Sequence, residues 1–238
     1  FGLLGSLSVL LMPEITQAHI LGQTKRLNAL LDRMLRLTGY FSALAGTLFW
    51  VWGRPAAQLL YQSADAGFYL ETLAPAMPLM YLESMVDGAM KGVGEQKAAF
   101  RYSVWDSILR IAGVVLLLPR FGMKGFLAVI LLSSLYTCTA NTWRLLFSSG
   151  TPHALFRWLG APALAAVLAA AAGVGLRTVL ADPLTAELPL QLAVLAAGGS
   201  GMAAVFLLAA WPLGLGKELC SIFHGREKRK ISGHGVQL

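Results

Sequence analysis

The chain has 238 residues, of which 56% are hydrophobic and only 13% charged, and its mean hydropathy is +0.64. Because soluble domains carry about 25% charged residues, a water-soluble globule is excluded and lipid is the expected solvent. A net charge of +7 would suggest nucleic acid in a polar protein, but here it reflects basic residues gathered on one side of a membrane. Cys138 and Cys220 lie far apart and indicate neither a disulfide framework nor a zinc site.

Apolar stretches predict one truncated and six complete membrane spans, since a helix needs about 20 mostly apolar residues to cross the hydrocarbon. The sequence starts at Phe1 without Met, basic leader or cleavage site, so we expect the later part of a longer membrane protein. Residues 1–12 are interpreted as the end of a span that Pro13 closes. Four complete spans fall within 37–147 and two accessory spans within 157–212, followed by a basic tail at 213–238. The predicted limits are 37–54, 66–90, 98–118, 125–147, 157–180 and 189–212.

Residues 13–36 connect the truncated span to the first complete one. Their apolar residues recur at helical spacing with most of the charges on the opposite face, which is typical of a helix lying in the cytoplasmic interface. A plain helical extension that leads into the next span is the alternative. The apolar residues are Leu27, Leu30, Leu31, Met34 and Leu35, opposite Lys25, Arg26, Asp32, Arg33 and Arg36.

Prolines mark the expected interruptions of the spans. The sequence Gly53-Arg54-Pro55 predicts the end of the span at 37–54, with residues 56–61 as a short helix at the outer surface. Pro75 and Pro78 predict a kink in the span at 66–90, as in the bent helices that are common in transporters.

Lysine and arginine are distributed unequally between the two sides of these spans. If residues 13–36 are cytoplasmic, fourteen of the 19 basic residues lie on that side and four, Arg54, Arg120, Lys124 and Arg177, on the other. Because cytoplasmic loops carry the excess of basic residues, the C-terminus is predicted to be cytoplasmic. The basic run at 225–230 is interpreted as a tail that follows this rule, with recruitment of anionic lipid as the alternative.

The two accessory spans are rich in small residues. Residues 161–172 are mostly alanine, and residues 196–201 place alanine, serine and glycine four apart. Small residues at this spacing let helices approach closely in lipid. These spans are therefore predicted to support the structure without carrying its chemistry.

Charged residues within spans are functional candidates, because each costs free energy unless it is paired or faces water. Residues 92–95 predict a tight turn and hence an antiparallel hairpin. At the helical rise, this hairpin brings Glu83 to the depth of Asp106 and Asp87 to the depth of Arg101. Two pairs of charged residues, Glu83 with Asp87 and Asp106 with Arg110, each lie one turn apart on one helix face. The sequence therefore predicts a charged patch in the cytoplasmic half of the bundle.

Two interpretations of this patch are open. In the first, Arg110 binds an anionic group such as a phosphate, with Glu83, Asp106 and Arg101 in the same site, while Asp87 or Glu83 takes up a coupling ion or proton. In the second, two internal salt bridges, Asp106 with Arg110 and Asp87 with Arg101, hold the hairpin together.

The sequence gives no support for an enzyme. The four histidines fall in connections or in the tail, without metal-ligand spacing, and no nucleophile, dinucleotide or phosphate-loop motif is present. We therefore expect no catalytic residue, no cofactor, no metal site and no nucleic-acid partner.

Three short motifs, in order along the chain, resemble one family of transporters. Residues 11–19, Leu-Met-Pro-Glu-Ile-Thr-Gln-Ala-His, look like the connection after the eighth helix of the multidrug/oligosaccharidyl-lipid/polysaccharide flippase superfamily. Residues 73–75, Leu-Ala-Pro, leading to the glycine-rich turn at 87–96, resemble that superfamily's next hairpin, and residues 118–125 resemble the turn after it. The resemblance covers residues 1–147 and is closest to the stage V sporulation protein B and polysaccharide-biosynthesis branch, whose members have fourteen helices.

This resemblance implies an all-α, polytopic integral membrane protein. The chain would form the C-terminal lobe of a two-lobe flippase plus two extra helices, with the missing N-terminal lobe as its partner. The implied function is translocation of a lipid-linked saccharide, a cell-wall or polysaccharide precursor, across the bacterial plasma membrane by alternating access. The pyrophosphate of such a substrate gives Arg110 and Arg101 a binding partner. The alternatives are a cation-coupled multidrug antiporter of the same superfamily and a membrane scaffold or remnant without transport.

Overall fold

The computed structural model describes residues 2–150, 156–179 and 188–216, and the side chains within 11–150, 157–178 and 190–216. In these ranges the chain is helical, without a strand, as predicted. The tail from residue 217 onward lies outside the described residues. The helices are α1 (Gly2–Ile20), α2 (Thr24–Tyr61), α3 (Ala64–Leu73), α4 (Met77–Gly92), α5 (Gln96–Ser149), α6 (Ala161–Val179) and α7 (Leu188–Ala210), with a 3-10 turn at Ala74–Ala76 and π-helical turns at Phe156–Gly160 and Trp211–Leu215.

Three helical segments of the described chain are long and apolar enough to cross a membrane. They are Gln96–Ser149, Arg157–Thr178 and Leu190–Leu215. The last two coincide with the predicted accessory spans, and the first contains the spans predicted at 98–118 and 125–147. The chain is therefore compatible with a membrane protein.

Helix α5 consists of two antiparallel arms that meet at Gly122. The φ angle of Gly122 is +57° and its ψ angle is −141°, a conformation that glycine adopts without steric cost. The arms lie in close contact, because a Cβ atom on Gly125 would come within 2.6 Å of the carbonyl oxygen of Leu117, and one on Gly113 within 2.9 Å of Val129. The predicted turn between the two spans is therefore correctly placed.

Helices α1 and α2 run through positions where the sequence analysis placed breaks. Pro13 lies inside α1, which ends at Ile20 and not at residue 12. The connection is a short turn at 21–23, where Gly22 has a φ angle of +62°. Residues 24–36 are the first part of α2, so the alternative of a helical extension is correct for them, and the separate element at 13–36 is not present.

The predicted break at Gly53-Arg54-Pro55 is also wrong, because α2 continues to Tyr61 with Pro55 inside it. A proline has no N–H to donate to the carbonyl four residues earlier, which here belongs to Val51. The Nη1 atom of Arg177 in α6 lies 3.5 Å from that carbonyl oxygen and donates to it. A side chain of a neighbouring helix thus supplies a donor in place of the missing backbone N–H.

The kink predicted from Pro75 and Pro78 is present. The 3-10 turn at Ala74–Ala76 divides the predicted span at 66–90 into α3 and α4. Helix α2 packs closely against this turn, since a Cβ atom on Gly46 would lie 2.9 Å from the carbonyl oxygen of Ala74.

Helix α2 is the element against which the accessory helices pack. Gly39 lies against the backbone of Trp158, and Gly198 of α7 lies against the ring of Trp52. Buried alanines of α6 complete this contact, namely Ala161, Ala165 and Ala169. The prediction that small residues bring these helices close together is confirmed.

Polar contacts fix one end of these helices. The carboxylate of Asp32 accepts from the Nε1 atom of the buried Trp158 at 2.7 Å, pairs with Arg36, and lies 3.6 Å from Arg157. The hydroxyl of Tyr40 donates to the carbonyl of Leu213 at 2.8 Å. Helices α6 and α7 are therefore held on α2 by directional bonds as well as by packing.

An ion pair joins the turn between α4 and α5 to the far end of α5. Two nitrogens of Arg144, Nε and Nη2, lie 3.0 to 3.1 Å from the carboxylate oxygens of Glu95. This bidentate geometry is the stronger form of an arginine–carboxylate contact. It fixes both arms of α5 to the turn at one end of the hairpin.

Enlarging Gly198 tests the contact between α7 and α2. The change Gly198→Ala places a methyl group in the ring of Trp52, so we expect the free energy of unfolding to fall by about 1–3 kcal/mol. Gly199→Ala is the matched control, because no atom lies within 4 Å of its added Cβ. Denaturant titration of the full-length protein in detergent should show a loss for the first variant and none for the second. Equal stability of the two variants would contradict the described packing.

A double-mutant cycle tests the ion pair of Glu95 and Arg144. The changes Glu95→Gln and Arg144→Gln should be coupled by about 1 kcal/mol, an estimate discounted for partial exposure to water. The two side chains are 23% and 36% exposed. Strictly additive losses of unfolding free energy would show that the pair does not form.

Candidate functional site

A cavity of about 760 Å³ lies between α4 and the two arms of α5, with Met12 of α1 at one side. We call it the charged cavity. Glu83, Asp87 and Arg110, three of the residues predicted for the site, line it. The hairpin geometry predicted from the turn at 92–95 therefore brings these three side chains to one place. Further polar residues on its wall are Ser84, Lys91, Ser103, Ser134, Thr137 and Asn141.

Asp106, Arg110 and Ser133 form a polar network behind this wall. Asp106 is 8% exposed and Ser133 is fully buried. The Ser133 hydroxyl donates to Oδ1 of Asp106 and accepts from Nε and Nη2 of Arg110, at 3.1 and 2.9 Å. The Nη2 atom of Arg110 also lies 3.1 Å from Oδ2 of Asp106, so the predicted pair is present.

This network determines how Arg110 is presented. Its bonds engage Nε and Nη2 and leave Nη1 without a partner among the described residues. The Arg110 side chain is 46% exposed, whereas that of Asp106 is 12% exposed. The arginine is therefore anchored through one edge of its guanidinium group and lines the cavity.

The predicted salt bridge between Asp87 and Arg101 is not present. Asp87 pairs instead with Lys91, whose Nζ atom lies 2.6 Å from Oδ2 of Asp87. The two residues are one turn apart on α4, which makes this the shorter and less costly contact. Arg101 is exposed and does not line the charged cavity. Of the two basic residues predicted for the site, Arg110 alone lies in its wall.

Glu83 lines the cavity from α4, and Asn141 lines it from the second arm of α5. Among the described residues, Glu83 forms no salt bridge. Glu83 is half-buried, and the charges of Asp106, Arg110 and Asp87 act on it. Asn141 is 2% exposed, and its Oδ1 atom is buried without a hydrogen-bond partner. A buried acceptor without a donor costs free energy. The cavity therefore contains oxygen atoms that a cation or a bound donor group would satisfy.

Sequence reasoning missed several polar residues of the site, including Ser84 of α4 and Ser103 in the first arm of α5. Ser133, Ser134 and Thr137 lie in the second arm of α5 and Lys91 at the end of α4. Ser134, Thr137 and Asn141 recur at i, i+3 and i+7, so they share one helix face. Polar residues at this spacing in an apolar span are the signal that would have found this face. The hydrogen-bond partners of Ser133 depend on the register between the two arms of α5, so no local sequence pattern predicts them.

The wall of the charged cavity carries both signs of charge. It combines two acidic and two basic side chains with hydroxyl and amide groups. Within the described residues, no group of three His, Cys, Asp or Glu side chains is placed to hold a metal ion. Such a wall presents groups that can pair with a charged partner of either sign.

Comparisons with known proteins give a distant relationship. No family model matches the chain. The chain is 26% identical over 141 residues to the sporulation protein YkvU of Bacillus subtilis (strain 168), a match that covers 56% of this chain and 32% of that protein. The chain thus spans about a third of the length of the curated relative that it resembles.

Proposed function

We propose that this chain is part of a membrane flippase that translocates a lipid-linked saccharide by alternating access. The observation that carries the proposal is the charged cavity, which Arg110 lines while Asp106 and Ser133 hold its Nε and Nη2 atoms. An arginine fixed in this way suits a phosphate or pyrophosphate, since its planar donors match phosphate oxygens. The expected partners are the lipid-linked substrate, membrane lipid and an N-terminal lobe of the same protein.

The acidic residues of the cavity supply the second half of the proposal. Glu83 and Asp87 lie on the α4 wall, and the unpartnered Oδ1 of Asn141 lies in α5. Oxygen atoms of this kind bind inorganic cations or protons. We propose that these groups take up the ion that drives the return of the transporter to its starting state.

The membrane topology belongs to the same proposal. We propose that the two arms of α5, helices α6 and α7, and the helices before them form a multi-pass bundle in a bacterial plasma membrane with a cytoplasmic C-terminus. The excess of basic residues on one side supports this orientation. The distant match to a sporulation protein supports a role in sporulation.

A cation-coupled multidrug antiporter is the second candidate, and the acidic residues Glu83 and Asp87 favour it. The flippase is preferred because Lys91 and Arg110 also line the cavity, and these basic groups would repel a cationic drug. A membrane scaffold without transport is the third alternative. In that case the network of Asp106, Arg110 and Ser133 would be purely structural.

Replacing Arg110 tests the proposed function. The full-length protein is reconstituted in proteoliposomes with a fluorescent polyprenyl-pyrophosphate-linked oligosaccharide, and its movement between leaflets is followed by quenching from outside. We expect Arg110→Gln to lower the initial rate roughly 10- to 100-fold, because a charge-assisted contact of about 1.5–3 kcal/mol is lost. Arg120→Gln, an exposed arginine outside the cavity, is the matched control and should leave the rate unchanged.

The same preparation separates the three alternatives. Wild-type rates in Arg110→Gln, with unchanged thermal stability, would remove Arg110 from the transport site. Proton or sodium flux that depends on a cationic drug would favour the antiporter. Absence of any flux above that of protein-free vesicles would favour the scaffold.

A further inference from the structure

A second cavity, of about 550 Å³, lies at the end of α2 that is remote from Asp32. We call it the Arg177 cavity. It shares no lining residue with the charged cavity and is formed by α2, α3 and the end of α6. Its wall consists of Trp50, Val51, Glu71, Val174, Arg177 and Thr178.

Glu71 enters this wall because α3 lies close to α2. A Cβ atom on Gly67 would come within 3.1 Å of the Cα atom of Arg54, so a larger residue would require the two helices to shift by a few tenths of an ångström. One turn later, Oε2 of Glu71 lies 2.5 Å from Nε of Arg54. The carboxylate of the wall is thereby neutralised by an arginine beside it.

Arg177 is held in place by a neutral group. Its Nη1 atom donates a hydrogen bond to the carbonyl oxygen of Val51, 3.5 Å away. This is the carbonyl that Pro55 leaves without a backbone donor. Among the described residues no carboxylate pairs with it. Within the part of the chain that the structure describes, Arg177 is therefore a positioned arginine without an ion-pair partner, and most of its N–H donors are available.

The Arg177 cavity lies near one end of a membrane-compatible helical segment. Arg177 is the last residue but one of the membrane-compatible segment Arg157–Thr178. Trp50 and Val174, both on the rim, are 48% and 47% exposed. Arginine and tryptophan at the end of an apolar segment are typical of the membrane–water interface. A ligand that reaches Arg177 would thus place its apolar part beside exposed apolar side chains.

We propose that the Arg177 cavity binds the phosphate of a phospholipid headgroup that carries a single net negative charge. One guanidinium without an ion-pair partner in the described chain matches the single charge of a phosphodiester, and its fork of donors matches two phosphate oxygens. The ion pair with Arg54 offsets the charge of Glu71, the carboxylate in the wall. This binding site is independent of the proposed transport of a lipid-linked saccharide.

Native mass spectrometry of the full-length protein tests the site with three probes: phosphatidylglycerol, phosphatidylcholine and sn-glycerol 3-phosphate. We expect phosphatidylglycerol to bind more tightly than phosphatidylcholine and the soluble phosphate not to bind. Arg177→Gln should weaken phosphatidylglycerol binding roughly tenfold, as the loss of one charged hydrogen-bonding partner predicts. Arg120→Gln, an exposed arginine outside this cavity, should have no effect.

The change Pro55→Ala separates binding from folding. It restores an N–H to the carbonyl of Val51, so Arg177 is no longer needed to satisfy that oxygen. In the Pro55→Ala background, Arg177→Gln should fold normally and still lose phosphatidylglycerol binding. Wild-type affinity in this double variant would overturn the proposal. Equal binding of phosphatidylcholine, or binding of glycerol phosphate as strong as that of the lipid, would overturn the assignment to an anionic lipid.

Discussion

The need of buried polar groups for partners determines how this chain is arranged. Asp106 lies within an apolar helix, where an unpaired carboxylate is costly, and Ser133 and Arg110 supply its hydrogen bonds. Because Ser133 belongs to the opposite arm of α5, these bonds fix the register of the two arms. The same bonds hold Arg110, which lines the charged cavity, so one network serves both the fold and the candidate site.

Glycines determine how closely the helices approach, and a proline determines where a helix needs a hydrogen-bond donor from its neighbour. Gly122 lets α5 turn back on itself, and Gly198 lets α7 contact the ring of Trp52. Pro55 removes one backbone donor from α2, and Arg177 of α6 replaces it. The accessory helix α6 thus donates a hydrogen bond to α2, although its alanine-rich sequence predicts packing alone.

Local periodicity predicted much of this structure. The hairpin at 92–95, the pair of Asp106 and Arg110, and the kink at Pro75 all follow from helix geometry and proline chemistry. The breaks at Pro13 and Pro55 were wrong, because neighbouring groups and packing carry a helix through a proline, which sequence alone does not show. Asp87 pairs with Lys91 and not with Arg101, because a partner on the same helix requires no particular register between helices.

Access of water and substrate to the charged cavity tests the central claim most directly. In a full-length variant with Cys138 and Cys220 changed to serine, Ser84→Cys and Ser103→Cys place single thiols on opposite walls, and Leu132→Cys places one on an exposed apolar face. A charged, membrane-impermeant thiosulfonate reagent should label both wall positions and not Leu132→Cys. A polyprenyl-pyrophosphate-linked saccharide should slow that labelling. The account would be contradicted if one or both wall positions were not labelled. It would also be contradicted if the saccharide left the labelling rate unchanged.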